Sequence, residues 1–158
     1  MRPGYSSCLQ SGCRPPSEGL KVYLYYVGKA KDADVNSVAR DYMTRAGRYA
    51  PCTMAEIRPE RSALWTKHAS AKKILLDPAG RALDSARFAE MFREAEMLGH
   101  DLVFVVGGHD GLPQEWRERA DVLLSLSMLT MPHELARAVL AEQIYRAFAT
   151  LRGHPYPR

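Results

Sequence analysis

The sequence predicts an α/β layered fold with a largely parallel sheet, on three observations. Segments rich in β-branched and aromatic residues alternate with segments of helical apolar spacing along the chain. The segment Asp101 to Val106 carries an unbroken apolar run, as a strand covered on both faces requires. Two apolar strands run into turn-forming sequence, one at Gly107-Gly108 and one at Pro132-His133. Strand ends placed side by side in this way make the crevice in which open α/β sheets bind ligands.

Each element has its own signal. Lys21 to Val27 (Lys-Val-Tyr-Leu-Tyr-Tyr-Val) is β-branched and aromatic and stops at Gly28, which predicts a strand. Val35, Val38, Tyr42, Met43 and Ala46 recur at helical spacing and predict a helix from Asp34 to Tyr49, with Asp34 as its N-cap. Cys52 to Arg58 predicts a short second strand. Glu60 to Lys72 is polar and weakly periodic, the least structured part of the interior. Ile74 to Asp77 predicts a short buried strand ended by Pro78 and Gly80. Asp84 or Ser85 caps a helix whose inner face carries Phe88, Met91, Phe92, Ala95 and Leu98, and Gly99 closes it. After the central strand, Gln114 to Ala120 predicts a short helix and Val122 to Ser127 another strand. Pro132 to Leu151 is the long final helix, with Leu135, Val139, Ile144 and Phe148 toward a core. No internal repeat or low-complexity tract interrupts the pattern.

A chain of 158 residues is long enough for one domain with a real core. That domain is expected over residues 20–158. Residues 1–19 hold Gly, Ser, Pro and two Cys, lack the apolar centre of a secretory signal, and read as a disordered extension or a mis-assigned start, with translation beginning near Leu20. No run approaches the roughly 18 apolar residues of a membrane span. Three cysteines (Cys8, Cys13, Cys52) argue against a disulfide scaffold and for the reducing cytoplasm. The five histidines are scattered and no metal site is expected. A formal charge of +4 suits an anionic partner such as RNA without requiring one.

The chemistry-bearing residues concentrate in the last third. Gly107-Gly108-His109-Asp110-Gly111 lacks the G-x-G-x-x-G spacing of a dinucleotide site, which disfavours a nicotinamide-dependent enzyme. Bare glycine backbone still lets a nucleoside approach closely; the plainer reading is a tight turn. Ser125, Ser127 and Thr130 interleave with Leu124, Leu126, Met128, Leu129 and Met131, residues that cup an adenine in a loop or simply form a strand with one polar face. His133 at a helix start favours a neutral hydrogen-bonding role, or a structural cap. Arg137 and Arg146, nine positions apart, are expected on one face of the final helix, holding phosphates or pairing with Glu142.

Taken in order, Phe104-Val-Val-Gly-Gly-x-x-Gly-Leu112, Ser125-Leu-Ser-x-Leu-Thr-x-Pro-His133 and Leu135-x-Arg137…Glu142-Gln-x-Tyr-Arg-Ala147 strongly resemble the RlmH family of SPOUT-class methyltransferases. Lys21-Val-Tyr-Leu-Tyr-Tyr-Val-Gly28 is similar to its opening strand and Ile74-Leu-Leu-Asp77 to its middle one. The resemblance implies a trefoil-knotted α/β fold, a homodimer, and S-adenosylmethionine as methyl donor. It implies a cofactor site lined by Leu76, Gly107, Gly108, Leu126, Ser127, Met128, Leu129, Thr130 and Met131. Arg146, Tyr156 and His133 are the candidates for catalysis. The implied substrate is N3 of a pseudouridine in a 23S rRNA stem-loop on the assembled ribosome; a catalytically silent dimer that binds RNA or the ribosome is the alternative. Three departures stand out: Pro157 where the family has a terminal histidine, a shorter connection between Glu60 and Lys73, and the leader.

Overall fold

The computed structural model describes residues 19–156. What was expected of residues 1–18, including Cys8 and Cys13, and of Pro157 lies outside the described residues. Five strands, β1 (Val22–Val27), β2 (Cys52–Ile57), β3 (Lys72–Ala82), β4 (Leu102–Val106) and β5 (Val122–Ser125), form one sheet in the order β2-β1-β4-β3-β5. All four pairings are parallel. The helices are α1 (Ala33–Ala46), α2 (Leu64–Lys67), α3 (Ser85–Leu98), α4 (Gln114–Arg119) and α5 (His133–Leu151).

The period of two along each strand sorts side chains onto two cores. On β4, Leu102, Phe104 and Val106 meet the helices α1, α3 and α5, while Val103 and Val105 meet the smaller layer of α2 and α4. Every residue of β4 is buried, as its unbroken apolar run required. The larger core is aromatic: Phe92 stands edge-on to Phe148, ring centroids 5.1 Å apart, and stacks on Phe104 at 5.9 Å. Gly99 closes α3 in the left-handed region at φ 70°, where its backbone N–H donates to Ala95.

Several local expectations change. Asp32, not Asp34, caps α1, accepting from the Asp34 and Val35 amides at 3.1 Å, and the helix ends at Ala46. The weakly periodic segment holds a 3-10 turn, Pro59–Arg61, and the single-turn α2. The third strand does not stop at Pro78. Leu76 and Arg81 both oppose Leu124 of β5, so residues 77–80 loop out and pairing then resumes. Gly80 makes this possible, because a Cβ there would lie 2.7 Å from the Leu123 backbone.

The final helix is buried nearly all round. Ile144 and Phe148 face the core as expected, with Ala136, Leu140, Ala141 and Tyr145, but Leu135 is exposed. Arg137 and Arg146 do not share a face. Nine residues at about 3.6 per turn leave a half-turn remainder, which sends them to opposite sides. Arg137 is fully buried, its guanidinium 3.6 Å from the Tyr26 ring and bonded to Asn36 Oδ1; Arg146 is part-exposed.

Candidate functional site

A cavity of about 400 Å³ opens at the carboxyl ends of β4 and β5, beside the point in β3 where its excursion begins. That volume lies within the usual range for small-molecule sites, roughly 300–1,000 Å³. One wall is the start of the β3 excursion, Leu76, Asp77 and Pro78; another is Val106 with the turn Gly107, Gly108, His109 and Gly111. The third is the run Leu124 to Met131, continuing into Pro132, His133 and Ala136 of α5. All nine residues expected to hold a cofactor line this one cavity, and so does His133.

Each wall has a local cause. The glycine turn closes on itself through a Gly111 amide donating to Gly108 O at 3.0 Å. A Cβ on Gly107 would meet the Gly111 carbonyl carbon at 2.9 Å, and one on Gly108 would meet Val27 O at 3.0 Å. The glycines therefore admit a tight turn packed against the end of β1. In the third wall, Ser125 Oγ donates to Ser127 O and Ser127 Oγ accepts from the Leu129 amide, both at 3.0 Å. The two hydroxyls fix the loop's shape, which leaves recognition there to main-chain groups and apolar side chains. Met128 and Leu129 are 98% and 79% exposed and form an apolar rim.

Of the two roles open to His133, the structural cap is not made. Pro132 is the N-cap of α5 with no side-chain bond, so the positive end of the helix faces the cavity. Behind it Glu134 is held in a network, accepting from the Lys31 and Asp32 amides at 2.6 and 3.2 Å and from Asn36 Nδ2 at 2.9 Å. These donors, the Lys31 amide first, depress its carboxyl to about 2. Through Asn36 the network reaches the buried Arg137, and it pins the loop after β1 to the start of α5.

Arg146 and Tyr156 come together, but away from this cavity. Arg146 lies thirteen positions after His133 on α5, roughly 20 Å along the axis at 1.5 Å per residue. There Glu142 Oε1 accepts from Arg146 Nε at 3.0 Å and Nη2 at 2.6 Å, and from the Tyr156 hydroxyl at 3.1 Å. Tyr156 is edge-on to Tyr145 at 4.6 Å, and Arg45 lies 4.4 Å from the Tyr145 ring. Burial, then its bonds to Tyr42 and Glu142, raise the Tyr156 phenol above its ordinary range. The bond to Glu142 likewise raises the Arg146 guanidinium.

Sequence comparison supplies the family. The family described as predicted SPOUT methyltransferase matches residues 20–157. The chain belongs to the SPOUT methyltransferases. A relative from Solibacter usitatus (strain Ellin6076), named ribosomal RNA large subunit methyltransferase H, is 65% identical over 139 residues, covering 88% of this chain and 100% of that protein. A protein of the same name from Chromobacterium violaceum is 37% identical, covering 88% of this chain and 99% of its own. Among solved structures, a probable methyltransferase from Bordetella pertussis Tohama I superimposes with a TM-score of 0.58 at 12% identity, over 84% of this chain and 97% of that one. At that identity the likeness is one of fold.

Against the SPOUT pattern, two parts of the site were missed from sequence. Asp77 joins the cavity wall; its position at a strand end was the available signal. Tyr42 and Arg45 reach the Glu142 cluster from the first helix, far along the chain, and only Glu142 to Arg146 carried a local clue, the four-residue spacing of a helical ion pair.

Proposed function

We propose that this chain is an S-adenosylmethionine-dependent RNA methyltransferase, acting as a cytoplasmic homodimer on N3 of a pseudouridine in a 23S rRNA stem-loop of the assembled ribosome. The observation that carries the reading is the convergence of all nine expected cofactor residues on one cavity, in a chain whose 65%-identical relative is named for large-subunit rRNA methylation. No helix among the described residues is long and apolar enough to cross a membrane.

The cavity fits the cofactor. It has suitable volume, glycine backbone at one wall, apolar side chains at another, and the positive end of α5 for a carboxylate. When bound, the cofactor supplies an electrophilic methyl group on a sulfonium. The chain's task is to hold the target nitrogen in line with that methyl, alignment that can itself supply much of the acceleration. The N3 imide must also lose its proton, and each pKa unit by which the site favours the anion is about 1.4 kcal/mol.

Distance is the observation that supports the dimer in this reading. Arg146 and Tyr156 sit roughly 20 Å along α5 from their own cavity, so they serve the reaction only at the cavity of a second copy, beside which the knotted fold implied by the resemblance would set them. Arg58 and Arg61, exposed at the end of β2, border an open groove of about 420 Å³ with Glu56 and Ser62 and suit RNA phosphates. Binding should therefore weaken with salt.

One observation favours the silent dimer instead. Arg146 is already paired with Glu142, which reduces what its charge can do for an imide anion. Incubating the protein with labelled S-adenosylmethionine and ribosomes lacking the mark separates the two. Label on a large-subunit pseudouridine is expected; cofactor binding without label would point to another RNA substrate or to the silent form.

A further inference from the structure

Asp77 is the only acid among the described residues lining the cavity. Its side chain is 8% exposed. Oδ1 accepts from the Ala79 amide at 2.8 Å, the tight turn that starts the β3 excursion. Arg117 Nε approaches Oδ2 to 2.5 Å from α4, outside the cavity lining, while Arg117 Nη1 donates to Gln114 Oε1 at 3.0 Å. The Arg117 contact is one of charge and proximity, because the buried Nε–H has no aligned acceptor. A carboxylate offers about four acceptor positions, and only one here is taken by a directed bond. The group is thus held in place and neutralised from behind, with acceptor capacity left over.

We infer that Asp77 recognises the ribose of the cofactor, its carboxylate accepting from the vicinal 2′- and 3′-hydroxyls, and that Arg117 is the residue positioning it. The inference rests on the reading of this cavity as an S-adenosylmethionine site. Two features select a diol over the alternative, a counter-charge for the sulfonium. Arg117 already balances the carboxylate, so little net negative charge faces the cavity. A fixed carboxylate with two or more free lone pairs matches two adjacent O–H donors, whereas a sulfonium has no proton to donate. No other residue lining the cavity carries a carboxylate, and the Ser125 and Ser127 hydroxyls are committed to their own loop.

The test is calorimetric binding by the full-length protein of S-adenosylmethionine, S-adenosylhomocysteine and the 2′-deoxy and 3′-deoxy forms of the latter. Wild type is expected to lose about tenfold or more in affinity when one hydroxyl is removed. Asp77→Asn should weaken the two natural ligands by the same factor, and should lose little more on the deoxy forms. Arg117→Gln should weaken binding less than Asp77→Asn, and Arg117→Lys should restore part of it. If Asp77→Asn binds both natural ligands like wild type, the inference is wrong. A loss confined to S-adenosylmethionine would make Asp77 a counter-charge and overturn the diol assignment. Should Asp77→Asn fail to fold, the deoxy series on wild type decides alone, and equal affinity across it refutes diol recognition. Failure of wild type to bind either natural ligand would instead overturn the cofactor reading itself.

Discussion

Gly80 in the β3 excursion and Gly107 and Gly108 in the cavity wall form a graded steric series. A methyl group placed at Gly80 would lie 2.7 Å from the Leu123 carbonyl carbon and oxygen and 2.8 Å from Leu124 N, all backbone atoms of a paired strand. At Gly107 the nearest atom is 2.9 Å away in the turn, and at Gly108 it is Val27 O at 3.0 Å. Inserting a carbon into a packed site costs about 1–3 kcal/mol, whereas Gly→Ala returns about 0.4–1 kcal/mol by restricting the unfolded chain. Gly80→Ala should sit at the upper end, because moving Leu123 also disturbs the ladder; a net loss of about 2 kcal/mol lowers Tm by roughly 4–8 °C in a chain of this size. Gly108→Ala needs a shift of only a few tenths of an ångström, so the two terms nearly cancel and Tm should change by about 2 °C or less. Gly107→Ala falls between. Thermal melts at one fixed protein concentration read the series directly, since self-association would otherwise move Tm. A Gly80→Ala protein as stable as wild type, or a Gly108→Ala protein less stable than Gly80→Ala, would refute the reasoning. The same geometry makes Gly107→Val a poor probe of ligand binding: its side chain starts against the Gly111 backbone, so it should damage the turn before it blocks the cavity.

Three further outcomes follow from groups described above. Glu134 has a depressed carboxyl in the folded chain, so its stabilisation is complete above the unfolded value near 4.5 and is lost as pH falls toward about 2. Glu134→Gln should be less stable than wild type at pH 7, with the gap in urea midpoint narrowing between pH 4.5 and 3; a constant gap would contradict the hydrogen-bond assignment. Burial pushes the Cys52 thiol up to about 12, so it should resist a thiol reagent at pH 8 and react only on unfolding. For the dimer, Arg146→Ala and Thr130→Trp should each abolish methyl transfer, while a re-associated equimolar mixture of the two, about half of it mixed dimers with one working composite site each, should regain about a quarter of wild-type activity. No recovery on mixing would mean that Arg146 acts at its own cavity or not at all.

The parts of the molecule that were legible in sequence are those decided locally or by one strong pattern. The apolar run of β4, the left-handed Gly99 and the aromatic face of α3 needed no knowledge of their neighbours. The cavity residues were legible through the order of three motifs, since periodicity alone left them as a turn and a strand. What was not legible depended on partners far along the chain. Pro78 and Gly80 read as a stop because resumed pairing depends on Leu124, more than forty residues later. Asp32 won the cap from Asp34 because its carboxylate reaches two amides of the first turn, a matter of backbone direction as α1 begins. On α5 a buried Arg137 among alanines hid the true inner face, and the exposed Leu135 advertised a false one.

The strand order has a consequence for how the chain reaches this state. β4 is fourth in sequence yet lies between β1 and β3, pairing with both. Until residues 102–106 join, the two halves of the sheet have no direct ladder between them, and each presents a raw parallel edge toward a vacant slot. Such edges invite the wrong strand, and a closure spanning this much chain is slow. The all-apolar sequence of β4 therefore also bears on assembly, because the strand that joins the two halves must outcompete the others for the middle of the sheet.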